Sequence, residues 1–273
     1  MDILSIILAG LMYPGLITAL ALGLLYRLLL TGAAPRVRPG AALGSREGLA
    51  ALAGILSAAA GLAALPWPFH PAGAPRAWLW AWAGLELAFL LPLVPALASG
   101  VPKVARAAIR RAQIGVFGRT LLWAAMATGL TTHASWGLNA LPAHLLALVA
   151  TVIAFPIAIG WGPFDDEVSV TGAGVQAGLP PELRQIDDLA RDVASGALLA
   201  AALLATLPTG VGPAWLATIM IVAGFTAATV AMRRLSGRLP RLSLPAILRL
   251  GWAYAAPLAA AAAVALIIAG RLA

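Results

Sequence analysis

Residues 238–258 read RLPRLSLPAILRLGWAYAAPL. Arg238 and Arg241 flank Pro240 in a basic loop. Leu244–Arg249 is a short amphipathic run, and from Leu250 the chain turns apolar almost to its end. Basic loop, amphipathic run, then apolar helix is the order in which a chain enters a bilayer from its positively charged side. The rest of the sequence agrees. The chain is 62% hydrophobic and 10% charged, with mean hydropathy +0.94, whereas a soluble domain carries about 25% charge. Most of this protein is dissolved in lipid. The expected fold is all-α, a single transmembrane domain over residues 1–273.

Apolar segments of about the ~20 residues needed to span a bilayer occur at roughly 3–29, 48–66, 78–99, 117–136, 142–161, 189–208, 212–232 and 250–270. The first is too long and too evenly apolar for a cleaved signal peptide, and no basic stretch precedes it. The second is rich in small residues, as suits close helix packing in lipid. Pro14, Pro92, Pro95 and Pro156 predict kinks within spans. There is no internal repeat, which argues against an inverted-repeat transporter.

Basic residues set the orientation. Arg27, Arg36, Arg38 and Arg46 belong to the first connection, and Lys103, Arg106, Arg110, Arg111 and Arg119 to the third. Arg184 and Arg191 belong to the fifth, and Arg233, Arg234, Arg238, Arg241 and Arg249 to the seventh. Of 18 basic residues only Arg76 and Arg271 fall on the opposite side. Positive charge stays in the cytoplasm, so both termini are expected outside a cytoplasmic (inner) membrane. The asymmetry requires an even number of spans. Arg119, at the edge of the fourth span, is read as snorkelling to the cytoplasmic surface.

Several chemistries are excluded or disfavoured. Without cysteine there is no disulfide framework, no Cys-ligated iron–sulfur cluster and no thiolate metal site. His70, His133 and His144 have no helical or hairpin spacing that would make a metal site. The net charge of +8 is accounted for by membrane orientation rather than by nucleic acid.

The ten acidic residues are unevenly placed, seven of them in the fifth connection: Asp165, Asp166, Glu167, Glu182, Asp187, Asp188 and Asp192. One reading is a solvated loop that docks on a basic partner. The other is a proton-exchanging carboxylate cluster, since closely spaced carboxylates cannot all ionise freely. Glu86 stands deep inside the third span, where a charge costs about 3 kcal/mol on insertion scales. It is read as a proton-path residue that Pro92 and Pro95 help to hydrate. The alternative is a protonated Glu86 hydrogen-bonded to a neighbouring helix.

Three motifs carry a family resemblance. The first is the opening stretch, with Leu239-Pro240-Arg241, a spacer, Leu248-Arg249-Leu250-Gly251-Trp252 and then Pro257-Leu258. The second is Gly162-Pro163-Phe164-Asp165, between the fifth and sixth spans. The third is Arg111-Ala112-Gln113, leading to Phe117-Gly118 at the start of the fourth span. Together with eight spans, these resemble the subunit 1 type of complex I. That heel subunit of the quinone site is shared by NADH–quinone oxidoreductases and membrane-bound [NiFe] hydrogenases. The chain looks like a shortened, divergent member. The family's loop glutamates correspond here to Val168, Val170 and Gly172, and its upstream acid and arginine to Ala158 and Trp161. Its Tyr-Glu pair corresponds to Phe117-Gly118. Arg36-Val37-Arg38-Pro39-Gly40 corresponds to the family's first-loop turn, after which its amphipathic helix is shortened or missing.

The resemblance implies a membrane subunit of a redox-driven proton or sodium pump that carries no catalytic residue, metal or redox cofactor of its own. Iron–sulfur clusters and any Ni–Fe site would lie on partners: a catalytic large-subunit-like chain and an iron–sulfur small-subunit-like chain, beside antiporter-like membrane subunits. Glu86, Asp165, Asp166 and Glu167 would serve the proton path. Glu182, Asp187, Asp188, Asp192, Arg110, Arg111, Arg238 and Arg241 would dock the soluble module. Arg36, Arg38 and Phe164 would touch quinone. Two other readings stand beside it: a structural anchor of such a complex without its own conduction, favoured by the missing carboxylates, and an independent transporter.

Overall fold

The computed structural model describes residues 3–34, 43–73, 77–131 and 139–272. Arg36, Arg38, Arg76, His133 and the end of the fourth expected span lie outside them. The described residues are helices and turns, with no strand. In chain order the helices are α1 (Ile3–Leu11), α2 (Leu16–Thr31), α3 (Arg46–Ala63), α4 (Trp78–Leu90) and α5 (Val94–Leu97). There follow α6 (Pro102–Thr131), α7 (Leu141–Ala158), α8 (Pro181–Thr206), α9 (Ala214–Ser236), α10 (Leu244–Leu250) and α11 (Ala256–Leu272).

Among the described residues seven stretches are long and apolar enough to cross a membrane: 4–31, 46–63, 78–97, 141–158, 181–206, 214–236 and 244–269. The fourth expected span is the apolar half of α6, which runs on toward residues outside the described set. The chain is thus an all-α, multi-pass membrane protein. Two of the four expected kinks fall at breaks, whereas Pro95 and Pro156 lie within α5 and α7. The first span breaks into α1 and α2 around Pro14, and α4 gives way at Leu91–Leu93 to a 3-10 turn containing Pro92 before α5. Two connections are shorter than the sequence suggests. Lys103 to Arg111 are helical within α6, whose Val104, Ala107, Ala108 and Ile114 recur at helical spacing on its buried face. Glu182 to Asp192 are helical within α8, which Pro181 opens.

The contacts group the chain into two compact units. The first comprises residues 1–112, 167–201 and 228–237, and the second residues 113–166, 202–227 and 238–273.

In the first unit α3 and α4 pair closely through small residues. A β-carbon on Gly84 would sit 2.7 Å from the Gly61 backbone, and one on Gly54 would sit 2.9 Å from the Pro92 ring. This is the close packing that small residues permit in lipid, where apolar side chains gain little by leaving the solvent. A second close crossing joins α2 to α8, with Gly23 against Val193 and Gly196 against the Leu22 carbonyl. Phe89, Leu93, Ala107, Ala108 and Val175 form a buried cluster with Val170 packed on it, so the loop after Glu167 is anchored by its apolar side.

In the second unit α7 packs against α11 and the π-turn Gly251–Ala255 that precedes it. Ala125, Ala150 and Ala259 meet in its core. Gly118 lies directly on the backbone of Ala158.

Candidate functional site

The second unit brings the three motif segments together. Gly162, with φ 44°, lets the chain turn tightly into Pro163-Phe164-Asp165. The turn closes with Phe164 N–H donating to Trp161 O at 2.9 Å and Asp165 N–H to Gly162 O at 3.2 Å. Phe164 is buried beside Trp161, ring centroids 6.4 Å apart. The Pro163 carbonyl accepts a 2.7 Å hydrogen bond from Leu242 N–H, in the basic loop that opens the last helix. That helix in turn presses the Gly251 backbone onto the Phe117 ring, whose centroid lies 5.9 Å from that of Trp252 at 48°. Gly251 has to be glycine here, because a β-carbon would occupy the space of the Phe117 ring.

Two acids of the expected proton path, Asp165 and Asp166, are half-buried at the end of this turn. Arg238 and Arg241 are exposed on the adjoining loop. Of the positions where the resembled subunit type has carboxylates, Gly118 and Ala158 are filled, whereas Gly172 is exposed with open space around it. Gly118 is closed by the Ala158 backbone, and Ala158 itself is buried.

The remaining acids of the fifth connection form a network in the first unit. Arg27 Nη1 on α2 donates to Asp192 Oδ2 on α8 at 2.9 Å and lies 3.8 Å from Asp188 Oδ2. Gln176 Nε2 donates to Asp187 Oδ2 at 2.8 Å and to Asp188 Oδ1 at 2.6 Å. Arg191 Nη2 reaches Glu167 Oε1 at 3.4 Å and Asp187 Oδ2 at 4.0 Å. Glu167 is buried, and its Oε2 also accepts from Val175 N–H at 3.4 Å. The expected docking charges Asp187, Asp188 and Asp192 therefore make internal bonds that tie α2 and the loop to α8. Glu182 sits half-buried in the first turn of α8. Arg110 and Arg111 are half-buried on the part of α6 within this unit.

Glu86 belongs to neither arrangement. It lies half-buried near the middle of α4, beside Leu85, whose side chain packs on Gly61 of α3. One expectation is corrected: Arg119 does not reach the surface but is only 2% exposed. The α6 helix continues through it, and its neighbour Gly118 lies against α7, so the side chain starts from a packed face. Sequence reasoning also missed the polar groups buried with it in this unit. His144 is fully buried, and the Thr151 hydroxyl is buried without a hydrogen-bond partner among the described residues. Gln176 carried no signal in the sequence, because only folding of the loop places its amide between two aspartates. Arg191 and Asp187 did carry one, being four residues apart on one helix face.

Fold and site together define a multi-pass α-helical membrane protein with a basic, loop-built end. No protein-family model matches the chain, and no curated protein matches its sequence. Its fold is similar to that of a chain in the structure of the membrane-bound sulfane sulfur reductase (MBS), an archaeal respiratory membrane complex. The TM-score is 0.63 over 97% of this chain and 99% of that one, at 15% sequence identity. At that identity the likeness is one of fold.

Proposed function

We propose that the chain is a membrane subunit of a multi-subunit, redox-linked complex of the complex I or energy-converting hydrogenase kind, held in the cytoplasmic membrane. The 2.7 Å hydrogen bond from Leu242 to Pro163 carries this reading. It joins two segments 79 residues apart that share nothing in sequence except their resemblance to one subunit type. Phe117 and Trp252 add the third segment at the same helix. The fold likeness to a chain of a respiratory membrane complex supports the same reading.

In this reading electrons stay on partner chains, since the sequence offers no cysteine for a cluster. Arg110, Arg111 and Glu182 of the first unit, and Arg238 and Arg241 of the second, each serve to dock the soluble redox module. Glu86, Asp165, Asp166 and Glu167 serve the proton path, and a quinone contact falls on Phe164 with Arg36 and Arg38. One observation favours a second version, a structural anchor without its own conduction. Gly118 and Ala158 are packed backbone to backbone, leaving no room for a carboxylate.

Purification of the native complex tests the proposal. A catalytic large-subunit-like chain, a Cys-rich iron–sulfur chain and antiporter-like membrane chains should co-purify. High salt should release the soluble pair first, because exposed charge pairs are screened. A chain isolated alone, or only with copies of itself, overturns the proposal and favours an independent transporter.

A further inference from the structure

We propose that the basic end of the last helix, Arg249 with Trp252 and Tyr254, binds the headgroup of an anionic phospholipid. Charge is the first argument. From Val193 to the end of the chain there are six arginines and no acidic residue. Arg238, Arg241 and Arg249 are exposed and make no hydrogen bond or ion pair among the described residues. These three cations are paired with no acid among the described residues.

Depth is the second argument. Helix runs unbroken from Leu244 through the π-turn to Leu272. At a rise of about 1.5 Å per residue, about 33 Å of helix separates Arg249 from Arg271. A hydrocarbon core is about 30 Å thick, so the two arginines bracket it. Arg249 then lies at phosphate depth, with Trp252 and Tyr254 one turn further in. These rings are 66% and 61% exposed, on a helix otherwise built largely of alanine. Tryptophan and tyrosine at that depth anchor at headgroup level, apolar body inward and polar edge outward.

The third argument is the local backbone. The π-turn Gly251–Ala255 widens the helix so that Trp252, Ala253 and Tyr254 all face outward in succession. Such turns recur at functional sites. Phe117 steadies one ring of the set from the side. Beneath them Ala260, Ala261, Val264 and Ile268 are exposed, a shallow apolar track along which acyl chains can lie. Cations at the phosphates, aromatic rings at the glycerol level and small apolar residues below match a phospholipid from head to tail. An acidic soluble partner would satisfy only the first of the three. Basic sites at the cytoplasmic end of membrane helices take anionic headgroups in this way.

The test is native mass spectrometry of the complex as purified from membranes, then exchanged with phosphatidylglycerol, cardiolipin or phosphatidylcholine. The unmodified chain should retain the anionic lipids at collision energies that strip phosphatidylcholine. Arg249→Gln should lower the retained anionic fraction about fivefold, the loss expected for one interfacial arginine, and Arg249→Lys should largely keep it. Trp252→Ala should lower retention of both lipid types, because it removes the anchor rather than the charge. If Arg249→Gln yields no folded complex, the unmodified chain at low and high salt supplies the charge comparison: high salt should lower retention of anionic lipid and not of phosphatidylcholine, and equal loss of both overturns the proposal. Equal retention of anionic lipid by Arg249→Gln and the unmodified chain overturns the proposal. Loss of a partner chain from Arg249→Gln with the lipid ratio unchanged also overturns it and assigns this surface to a protein interface.

Discussion

Gly118 and Ala158 show how single residues decide what this membrane protein can do. On the resemblance to the subunit 1 type, each occupies a position where a carboxylate is expected, and at Gly118 the Ala158 backbone leaves no room for a side chain. Val170, at another such position, is apolar because it packs on the cluster of Phe89, Leu93 and Val175. On that resemblance, packing stands where charge is expected at these three places, while Gly172 is left open. Glu86 remains the one acid placed well inside a span, a costly location that a purely structural residue does not need. Glu86→Gln keeps the size and hydrogen bonding of the side chain but cannot release a proton. The variant complex should assemble and move electrons in detergent, yet build little membrane potential in vesicles. Undiminished potential would remove Glu86 from the proton path and leave the anchor version standing. The sequence exposed Glu86 directly, since one acid in an apolar run needs no structure to be seen. Burial of Arg119, His144 and Thr151 was invisible, because it depends on which face of α6 and α7 meets the other.

At the scale of elements, the crossing of α2 and α8 combines the two devices that hold helices together in lipid. Gly23 and Gly196 bring the backbones close. About one turn away, Arg27 and Asp192 meet at 2.9 Å with side chains 23% and 14% exposed. In so little water the loss of one partner leaves a charge that cannot be re-solvated. Asp192→Ala should therefore destabilise by about 1–3 kcal/mol, with Asp188 offsetting part of the loss from 3.8 Å. Replacing both, as Arg27→Leu with Asp192→Leu, should recover most of it. Thermal unfolding of the four chains in detergent gives the coupling energy, and additive effects would show that the pair does not hold the crossing. The acids of α8 were legible as a cluster. That they are bonded inward to Arg27 and Gln176 was not, since these partners come from a distant helix and a loop.

At the scale of the whole molecule, orientation follows from charge. All but two of the 18 basic residues fall on one side of the expected spans, and translocating them across the bilayer is what the positive-inside bias avoids. Trp78, Trp80 and Trp82 open one span and Trp215 another, all exposed and all at ends expected outside, as interfacial anchors should be. A reporter fused after Arg271 should be active outside the cytoplasm; activity only inside would reverse the topology. Hydropathy was enough to specify an all-α, multi-pass chain of about eight spans, and charge count set the expected sidedness, because each is governed by the transfer of a segment between water and lipid, one segment at a time. Proline positions likewise announced the breaks at Pro14 and Pro92, which are local backbone effects. The meeting of Pro163 with Leu242, of Phe117 with Gly251 and Trp252, and of Arg27 with Asp192 depended on tertiary structure alone. In a chain this uniformly apolar, the identity of one helix's neighbour is decided by shape and by a few polar contacts, and those exist only once the helices have packed.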